Sequence, residues 1–173
     1  MGAWISQLIS AAAELGVADE LANGPATGED LARRLNVDQD ALCRMLRALI
    51  GIGVFRHRSD GRYELTALAE TLRTDSPPVS MAGMARWVGS AQHREHWSHL
   101  ADAIRTGSAV VPALRGKPIF DYLADEPALA GIFNQAMTGL SESSVTAVVA
   151  AYDFSRFATI ADIGGGQGRL LAA

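Results

Sequence analysis

Apolar residues return every three or four positions along most of the chain, and this spacing predicts a mainly helical fold. The clearest apolar stripe, within residues 4–22, consists of Ile5, Leu8, Ile9, Ala12 and Leu15. Further helices are predicted over residues 39–50, 80–90, 93–105 and 127–151, with short ones over 28–35 and in "ALAETLR" and "PIFDYLADEP". Asp125 suits the cap of the longest helix, and Pro127 suits its first turn.

The N-terminal elements follow the order of a winged-helix domain. Thr27 and Asp30 resemble a capping box, and Asp38 suits the N-cap of the next helix. Two short β-like runs, 54–57 and 62–65, flank Ser59-Asp60-Gly61, and an Asp-Gly pair in this position is a strong hairpin signal. Helix, short helix, longer helix and hairpin together predict a winged helix.

A different pattern begins at residue 158. The run "TIADI" (159–163) is typical of a core strand, glycines follow it, and "RLLAA" suits the start of a helix. Strand, glycine turn and helix form the first β-α unit of a Rossmann-like parallel sheet. The expected fold class is therefore mainly α: a winged-helix domain and a helical linker, followed by the first β-α unit of an α/β domain.

The glycines at 164, 166 and 168 are spaced two and two, unlike the G-x-G-x-x-G of dinucleotide sites. Glycine has no Cβ, so a ligand can lie against the main chain there. The N-terminus of a following helix offers N–H groups to an anion such as a carboxylate. Asp162 can accept bonds from N–H groups or from a ligand amine. The alternative is a glycine-rich turn that binds nothing.

Composition narrows the classes of function. The chain has 173 residues, 49% of them hydrophobic, which is typical of a globular protein. Its net charge of −4 argues against a nucleic-acid partner. No apolar stretch reaches the roughly 18 residues that span a bilayer, so no membrane partner is expected. The single cysteine, Cys43, allows no internal disulfide and fits a reducing, cytoplasmic location.

Residues 152–173, "YDFSRFATIADIGGGQGRLLAA", resemble motif I of the S-adenosylmethionine-dependent O-methyltransferases of the plant caffeate and bacterial polyketide-tailoring type. Other segments resemble the same family, in its order and spacing: "AAELGVADEL", "GEDLARRLNV", "LCRMLRALIGIGVF", "WSHLADAIRTGSA" and "FDYLADEPALAGIFNQAM". The similarity extends over essentially the whole chain, which makes it more specific than any single motif.

The resemblance implies three parts: a winged-helix-like dimerisation domain (1–90), linker helices that line a substrate cavity (91–157), and the start of a Rossmann-like cofactor domain (158–173). The N-terminal domain would form a homodimer and close over the partner's active site. The cofactor would be S-adenosylmethionine, and the acceptor a small hydroxyl compound, aromatic or polyketide. The family's histidine base and ribose-binding acid are expected beyond residue 173, so the chain alone is expected to be inactive.

The resemblance also implies candidate site residues. For the cofactor they are Asp162, Gly164, Gly165, Gly166 and Gly168. For the acceptor they are Trp97, Phe133, Asn134 and Met137. Trp97, Phe133 and Met137 also have the helical spacing of core residues, and that alternative stays open. A polar Asn134 on an apolar helical face needs a partner.

His93, His96 and His99 form an H-x-x-H-x-x-H pattern on a predicted helix. The first and last members diverge by about 240° around the helix, which is poor geometry for a metal site, and no metal is expected. A solvated face, or the polar edge of a substrate pocket beside Trp97, is the preferred interpretation.

Three other interpretations stay open. The chain can be a dimerisation module without activity, or a winged-helix regulator that uses Arg44 and Arg47 to contact DNA. It can also keep the family fold but perform an altered reaction. A homodimer is expected in addition from the apolar N-terminal stripe, where Trp4 and Ile5 have little to pack against in one small domain.

Overall fold

The computed structural model describes residues 1–75 and 79–173, and helices follow the predicted apolar stripes. In the first half the helices are α1 (Gly2–Glu14), α2 (Val17–Leu21), α3 (Gly28–Leu35), α4 (Gln39–Gly51) and α5 (Ala67–Glu70). In the second half they are α6 (Ala82–Gly89), α7 (Ala91–Ser98), α8 (Leu100–Thr106), α9 (Val110–Arg115), α10 (Ile119–Asp125) and α11 (Pro127–Ala151). The prediction of a mainly helical fold is confirmed.

Strands β1 (Phe55–His57) and β2 (Tyr63–Leu65) form the antiparallel hairpin predicted around Asp60-Gly61. Phe55 pairs with Leu65, and Gly61 has the positive φ of +82° that the turn requires. The order of helices and hairpin is as expected, while membership of the winged-helix class stays a prediction. The domain boundaries at 90 and 157 also stay predictions.

Side-chain caps fix the starts of α3 and α4, as predicted. Thr27 Oγ1 accepts the N–H of Asp30 at 3.1 Å, and its hydroxyl donates to the Asp30 carboxylate at 2.9 Å. Asp38 Oδ1 accepts the N–H of Ala41 at 2.8 Å. Each cap satisfies an N–H that the first helical turn leaves without a partner.

Two hydrophobic clusters form the interior. The N-terminal cluster is centred on fully buried side chains of α2, α3, α4 and β1: Val17, Leu31, Leu46, Leu49 and Phe55. The second cluster joins α6, α10 and α11 through Trp87, Leu123, Leu129 and Ala136. Burial of each of the valine, leucine and phenylalanine side chains among them contributes about 1.5–3 kcal/mol.

Helix α6 packs against both α1 and α11 at positions where only glycine fits. A Cβ on Gly83 would lie 2.7 Å from the backbone carbon of Gln135 in α11. A Cβ on Gly89 would collide with the side chain of Ser10, a buried residue of α1. The two missing Cβ atoms therefore allow one short helix to connect the N-terminal unit to α11.

Helix boundaries differ from the prediction in three places. The helix expected over 4–22 is broken at Gly16, which adopts a left-handed φ of +70°. The helix expected over 93–105 is interrupted at His99, so α7 and α8 are separate. Asp125 does not cap α11: Glu126 holds the N-cap position, and the Asp125 carboxylate pairs with Lys117 instead.

The strand prediction for 159–163 is wrong. No regular element covers residues 152–173, and Ile160 and Ile163 are 44% and 96% exposed. A strand needs neighbours to accept and donate its backbone hydrogen bonds, and none of the described residues supplies one here. The predicted helix at "RLLAA" is likewise reduced to turns, with the Ala172 N–H bonded to Gly168 O at 3.1 Å. The regular strand and helix of the expected β-α unit are therefore not formed, and the Rossmann-like class of this segment stays a prediction.

The sequence "TDSPPVS" (74–80) predicts a proline-rich loop, and residues 76–78 of it lie outside the described ranges. Within 1–75 and 79–173, no helix combines the length and the apolar character needed to cross a membrane.

We expect Gly83→Ala to lower the free energy of unfolding by about 1–3 kcal/mol, because the new methyl group must push α6 and α11 apart. The matched control is Gly131→Ala in α11, where a Cβ meets nothing within 4 Å. That substitution should be neutral or stabilising, by up to about 1 kcal/mol from helix propensity. Urea unfolding of both variants measures the difference, and equal stabilities would refute the close-packing account.

Candidate functional site

A cavity of about 630 Å³ lies between α11 and the glycine-rich segment 162–170. It brings together most of the residues singled out from the sequence: Phe133, Asn134, Met137, Asp162, Gly164, Gly165 and Gly166. These residues come from two segments about 30 positions apart, and the structure places them on facing walls. The volume falls in the range of roughly 300–1,000 Å³ that is typical of small-molecule sites.

The glycine wall adopts backbone conformations that other residues rarely take. Gly164, Gly166 and Gly168 have φ values of +77°, +56° and +72°. A Cβ on Gly165 would overlap the Asp162 carboxylate, which lies directly against that glycine. Gly168 is outside the cavity lining, but its N–H bonds to Gly165 O at 2.8 Å and closes the turn. The run of glycines therefore exposes main chain beside a carboxylate.

The opposite wall is aromatic and is supported from behind. Phe133 packs edge-on against the buried Trp87, with ring centroids 5.1 Å apart, and its ring lies 6.1 Å from that of Phe120. Phe133 and Met137 also pack against the second hydrophobic cluster. Phe133 and Met137 therefore belong to the packed interior and also line the cavity, while their contact with an acceptor stays a prediction.

Asn134 is exposed and lines two cavities, the main one and a neighbouring cavity of about 440 Å³ that Arg86 and Glu142 also line. Because water reaches this position, its amide does not need the protein partner that a buried amide would require. The side chain is free to orient toward a ligand in either cavity.

Several polar residues of the cavity were missed by sequence reasoning: Thr138, Ser141, Ser144, Gln167 and Arg169. Thr138 and Ser141 follow Asn134 by four and seven positions, which puts them on the same helical face. That spacing is a signal the sequence does contain. The contribution of Gln167 and Arg169 depends on how the irregular segment folds back, and no periodicity encodes this.

An ion pair connects the two walls. Arg169 Nη2 lies 2.5 Å from Glu142 Oε1 on α11. The hydrogen bond from Arg169 lowers the pKa of Glu142 below its usual value, and Glu142 in turn raises the pKa of Arg169. The pair therefore remains charged near neutral pH and holds the glycine-rich segment against α11.

Trp97 is not among the residues that line the cavity. Its side chain is 61% exposed, and its indole N–H donates to His93 Nε2 at 3.0 Å. The predicted contact of Trp97 with an acceptor stays a prediction.

The three histidines have separate partners. His93 bonds to the Val88 carbonyl and to Trp97, His96 accepts from Arg115 Nε at 3.3 Å, and His99 lies 3.3 Å from the Asp102 carboxylate. Over the described ranges, no group of three or more histidine, cysteine or acidic side chains converges as a metal site would require.

Sequence comparison identifies the family. The profile of the O-methyltransferase dimerisation domain matches residues 1–75, and that of the O-methyltransferase domain matches residues 97–173. The chain belongs to the O-methyltransferase family. The resemblance of the separate sequence segments is thereby confirmed.

Individual relatives agree with this assignment. The chain is 38% identical to phenazine O-methyltransferase PhzM of Lysobacter antibioticus, over 99% of this chain and 50% of that protein. The crystal structure of LaPhzM superimposes with a TM-score of 0.91 at 38% identity, covering 99% of this chain and 51% of the other. Human N-acetylserotonin methyltransferase in complex with SAM gives a TM-score of 0.88 at 29% identity, covering 99% and 52%. The chain thus spans about half the length of the relatives it matches.

Proposed function

We propose that the chain supplies the dimerisation unit and part of the cofactor and acceptor site of an S-adenosylmethionine-dependent O-methyltransferase. The acceptor would be a small aromatic hydroxyl compound. The observation that carries the proposal is the cavity itself, where the glycine turn and Asp162 face Phe133 and Met137. The winged-helix class of the N-terminal unit is part of the proposal.

The residues present fit the methionine portion of the cofactor. Backbone N–H groups of the glycine turn can donate to a carboxylate, and Asp162 can accept from an ammonium group. The Cβ-free backbone at Gly165 lies against the Asp162 carboxylate, so main chain and acid are presented together. S-adenosylmethionine would supply a methyl group on a positively charged sulfur, and the aromatic face of Phe133 suits a cation.

The acceptor would lie on the aromatic side of the cavity. Phe120, Phe133 and Met137 offer an apolar wall, while Asn134 and Thr138 offer hydrogen bonds that can orient a hydroxyl group. These groups contribute positioning, which is a large part of the catalysis expected for such a transfer. Phenazine O-methyltransferase, to which the chain is similar, has an aromatic acceptor by its name.

A general base is still required to take the hydroxyl proton. None of the four histidines is among the residues that line the described cavity. We therefore expect the base to lie outside these 173 residues, so that the chain alone binds ligand without transferring methyl groups. This agrees with the chain spanning about half of PhzM.

A second candidate is a dimerisation module that binds no cofactor. The observation that favours it is the absence of the strand predicted over 159–163, since the glycine turn of a complete β-α unit would be held by that strand. Cofactor binding discriminates between the two candidates.

A DNA-binding role receives less support, because the arginines of the hairpin are neutralised. Arg56 and Arg58 both pair with Glu64 at 3.2 Å, and Arg62 pairs with Asp60 at 2.7 Å. Hydrogen bonds from Arg62 lower the pKa of Asp60 to about 2, so this pairing persists at any physiological pH.

We expect S-adenosylhomocysteine to bind the chain with measurable heat in titration calorimetry. Gly165→Ala should weaken binding by at least about tenfold, because its methyl group displaces the Asp162 carboxylate and the turn. Gly131→Ala, which meets nothing, is the control and should bind like the wild type. If the correctly folded wild type gives no heat, the cofactor proposal is rejected and the second candidate, a dimerisation module without cofactor, is favoured.

We further propose a homodimer formed through the N-terminal helices. Trp4 on α1 is 74% exposed, and the dimerisation-domain profile covers this helix. Light scattering at micromolar concentration should give the mass of two chains, and Trp4→Asp should reduce it to one. Ile104→Asp on α8, where the side chain is 75% exposed, is the control and should leave the dimer intact. A monomeric wild type would contradict this proposal.

A further inference from the structure

The imidazole of His93 is held at both nitrogens. Nδ1 lies 3.2 Å from the carbonyl oxygen of Val88 on α6, and Nε2 lies 3.0 Å from the indole Nε1 of Trp97 on α7. An indole N–H can only donate, so Nε2 must accept, and the proton of the neutral ring is on Nδ1 and is donated to Val88. His93 is therefore fixed as one neutral tautomer that ties α7 to the end of α6.

A row of aromatic rings leads from His93 to the cavity. The His93 ring lies 5.1 Å from Trp87, Trp87 lies 5.1 Å from Phe133, and Phe133 lies 6.1 Å from Phe120. Trp87 is only 8% exposed, and both phenylalanines line the cavity. Because the row is packed ring against ring, a shift of His93 is transmitted to the wall formed by Phe133.

Burial lowers the pKa of His93 below its ordinary value of 6.5, and the hydrogen bond to Val88 opposes this effect. Folding therefore favours the neutral ring. The stability that this provides is fully present above pH 6.5 and is lost as pH falls through the lowered pKa. Protonation places a second donor opposite the indole N–H of Trp97, so the hydrogen bond between them cannot persist.

Charged groups on the helices packed around α7 have other partners. Arg86 donates to the side chain of Gln135, and Arg94 donates to the carbonyl oxygen of Gly89. Arg115 donates to His96 and forms an ion pair with Glu95. The Asp102 carboxylate pairs with Arg105 and with His99. None of these described groups is a hydrogen-bond partner of His93. His96 lies on the same helix, and its pKa is lowered by burial, by Arg115 and by repulsion from His93.

We propose that His93 is a positioning residue for the cavity. The neutral imidazole holds Trp97 and Trp87 in place, and through them it positions Phe133 against the acceptor. Protonation of His93 releases this row of aromatic rings. The connection to the acceptor rests on the proposed function. The link between His93, Trp97 and Trp87 rests on the geometry alone.

The first test is an NMR titration of the imidazole signals of the full chain between about pH 5 and pH 8. The four histidines are assigned with single His→Gln variants. His93 should titrate below the ordinary histidine value of 6.5 and should show the tautomer protonated at Nδ1. Ring signals of Trp87 and Phe133 should shift with the His93 midpoint, and signals that follow another histidine or none would overturn the proposal.

Two conservative variants sharpen this result. Trp97→Phe keeps a ring but removes the donor that opposes protonation, so the pKa of His93 should rise. Trp4→Phe, at the exposed position on α1, is the matched control and should leave His93 unaffected. An unchanged His93 midpoint in Trp97→Phe would show that the hydrogen bond does not control protonation, which contradicts the proposal.

The second test measures binding of 2-naphthol, an aromatic alcohol that stays uncharged over this pH range. Affinity should fall severalfold as pH drops through the His93 midpoint in the wild type and in His96→Gln, and should lose this pH dependence in His93→Gln. Binding that is independent of pH in the wild type would overturn the connection to the cavity. No binding at any pH would count against the proposed function, and the ring signals would then decide the His93 link by themselves.

Discussion

The close approach of α6 to α1 and α11 is the constraint on which the rest of the structure depends. At Gly83 and Gly89 the backbone of α6 comes so near its neighbours that a single methyl group does not fit. Through these two contacts a helix of eight residues joins the N-terminal cluster to the second cluster. Because α11 carries one wall of the cavity, its position relative to the N-terminal unit is set by α6.

The same few residues serve both packing and the site. Phe133 and Met137 are part of the second cluster and also face the cavity, so the interior of the protein shapes the acceptor wall directly. The glycine wall is held differently, by local turns and by the pair between Glu142 and Arg169. One wall is therefore rigid by packing, while the other depends on a partly exposed ion pair, which is a weaker constraint.

Local rules predicted much of the fold. The caps at Thr27 and Asp38, the hairpin at Asp60-Gly61 and the long α11 all depend on neighbouring residues, and the structure confirms them. The prediction of a strand at 159–163 was wrong because a strand depends on hydrogen-bonding partners elsewhere in the chain. The break at Gly16 was missed because an apolar stripe continues through it, although glycine can reverse the backbone there.

Part of the candidate site was predictable from the sequence. Family resemblance selected Phe133, Asn134, Met137 and the glycines, and all of these except Gly168 line one cavity. Their contacts with ligands stay predictions. The resemblance did not select Ser141 or Arg169. Ser141 lines the cavity because of its position on the same helical face as Asn134, and Arg169 lines it because of how the irregular segment folds back. Trp97 was selected with the acceptor residues but lies outside the cavity lining. It is connected to Phe133 only indirectly, through its hydrogen bond to His93 and the ring contacts of His93 with Trp87 and of Trp87 with Phe133.

The central claim is that the cavity between α11 and the glycine turn holds the methyl donor. It is tested most directly with S-adenosylmethionine labelled with ¹³C at its transferable methyl group, bound to the chain and observed through isotope-filtered NOEs. The account predicts NOEs from this methyl group to the side-chain protons of Phe133 and Met137. A bound cofactor whose methyl group shows contacts elsewhere, and none to these two residues, would contradict it.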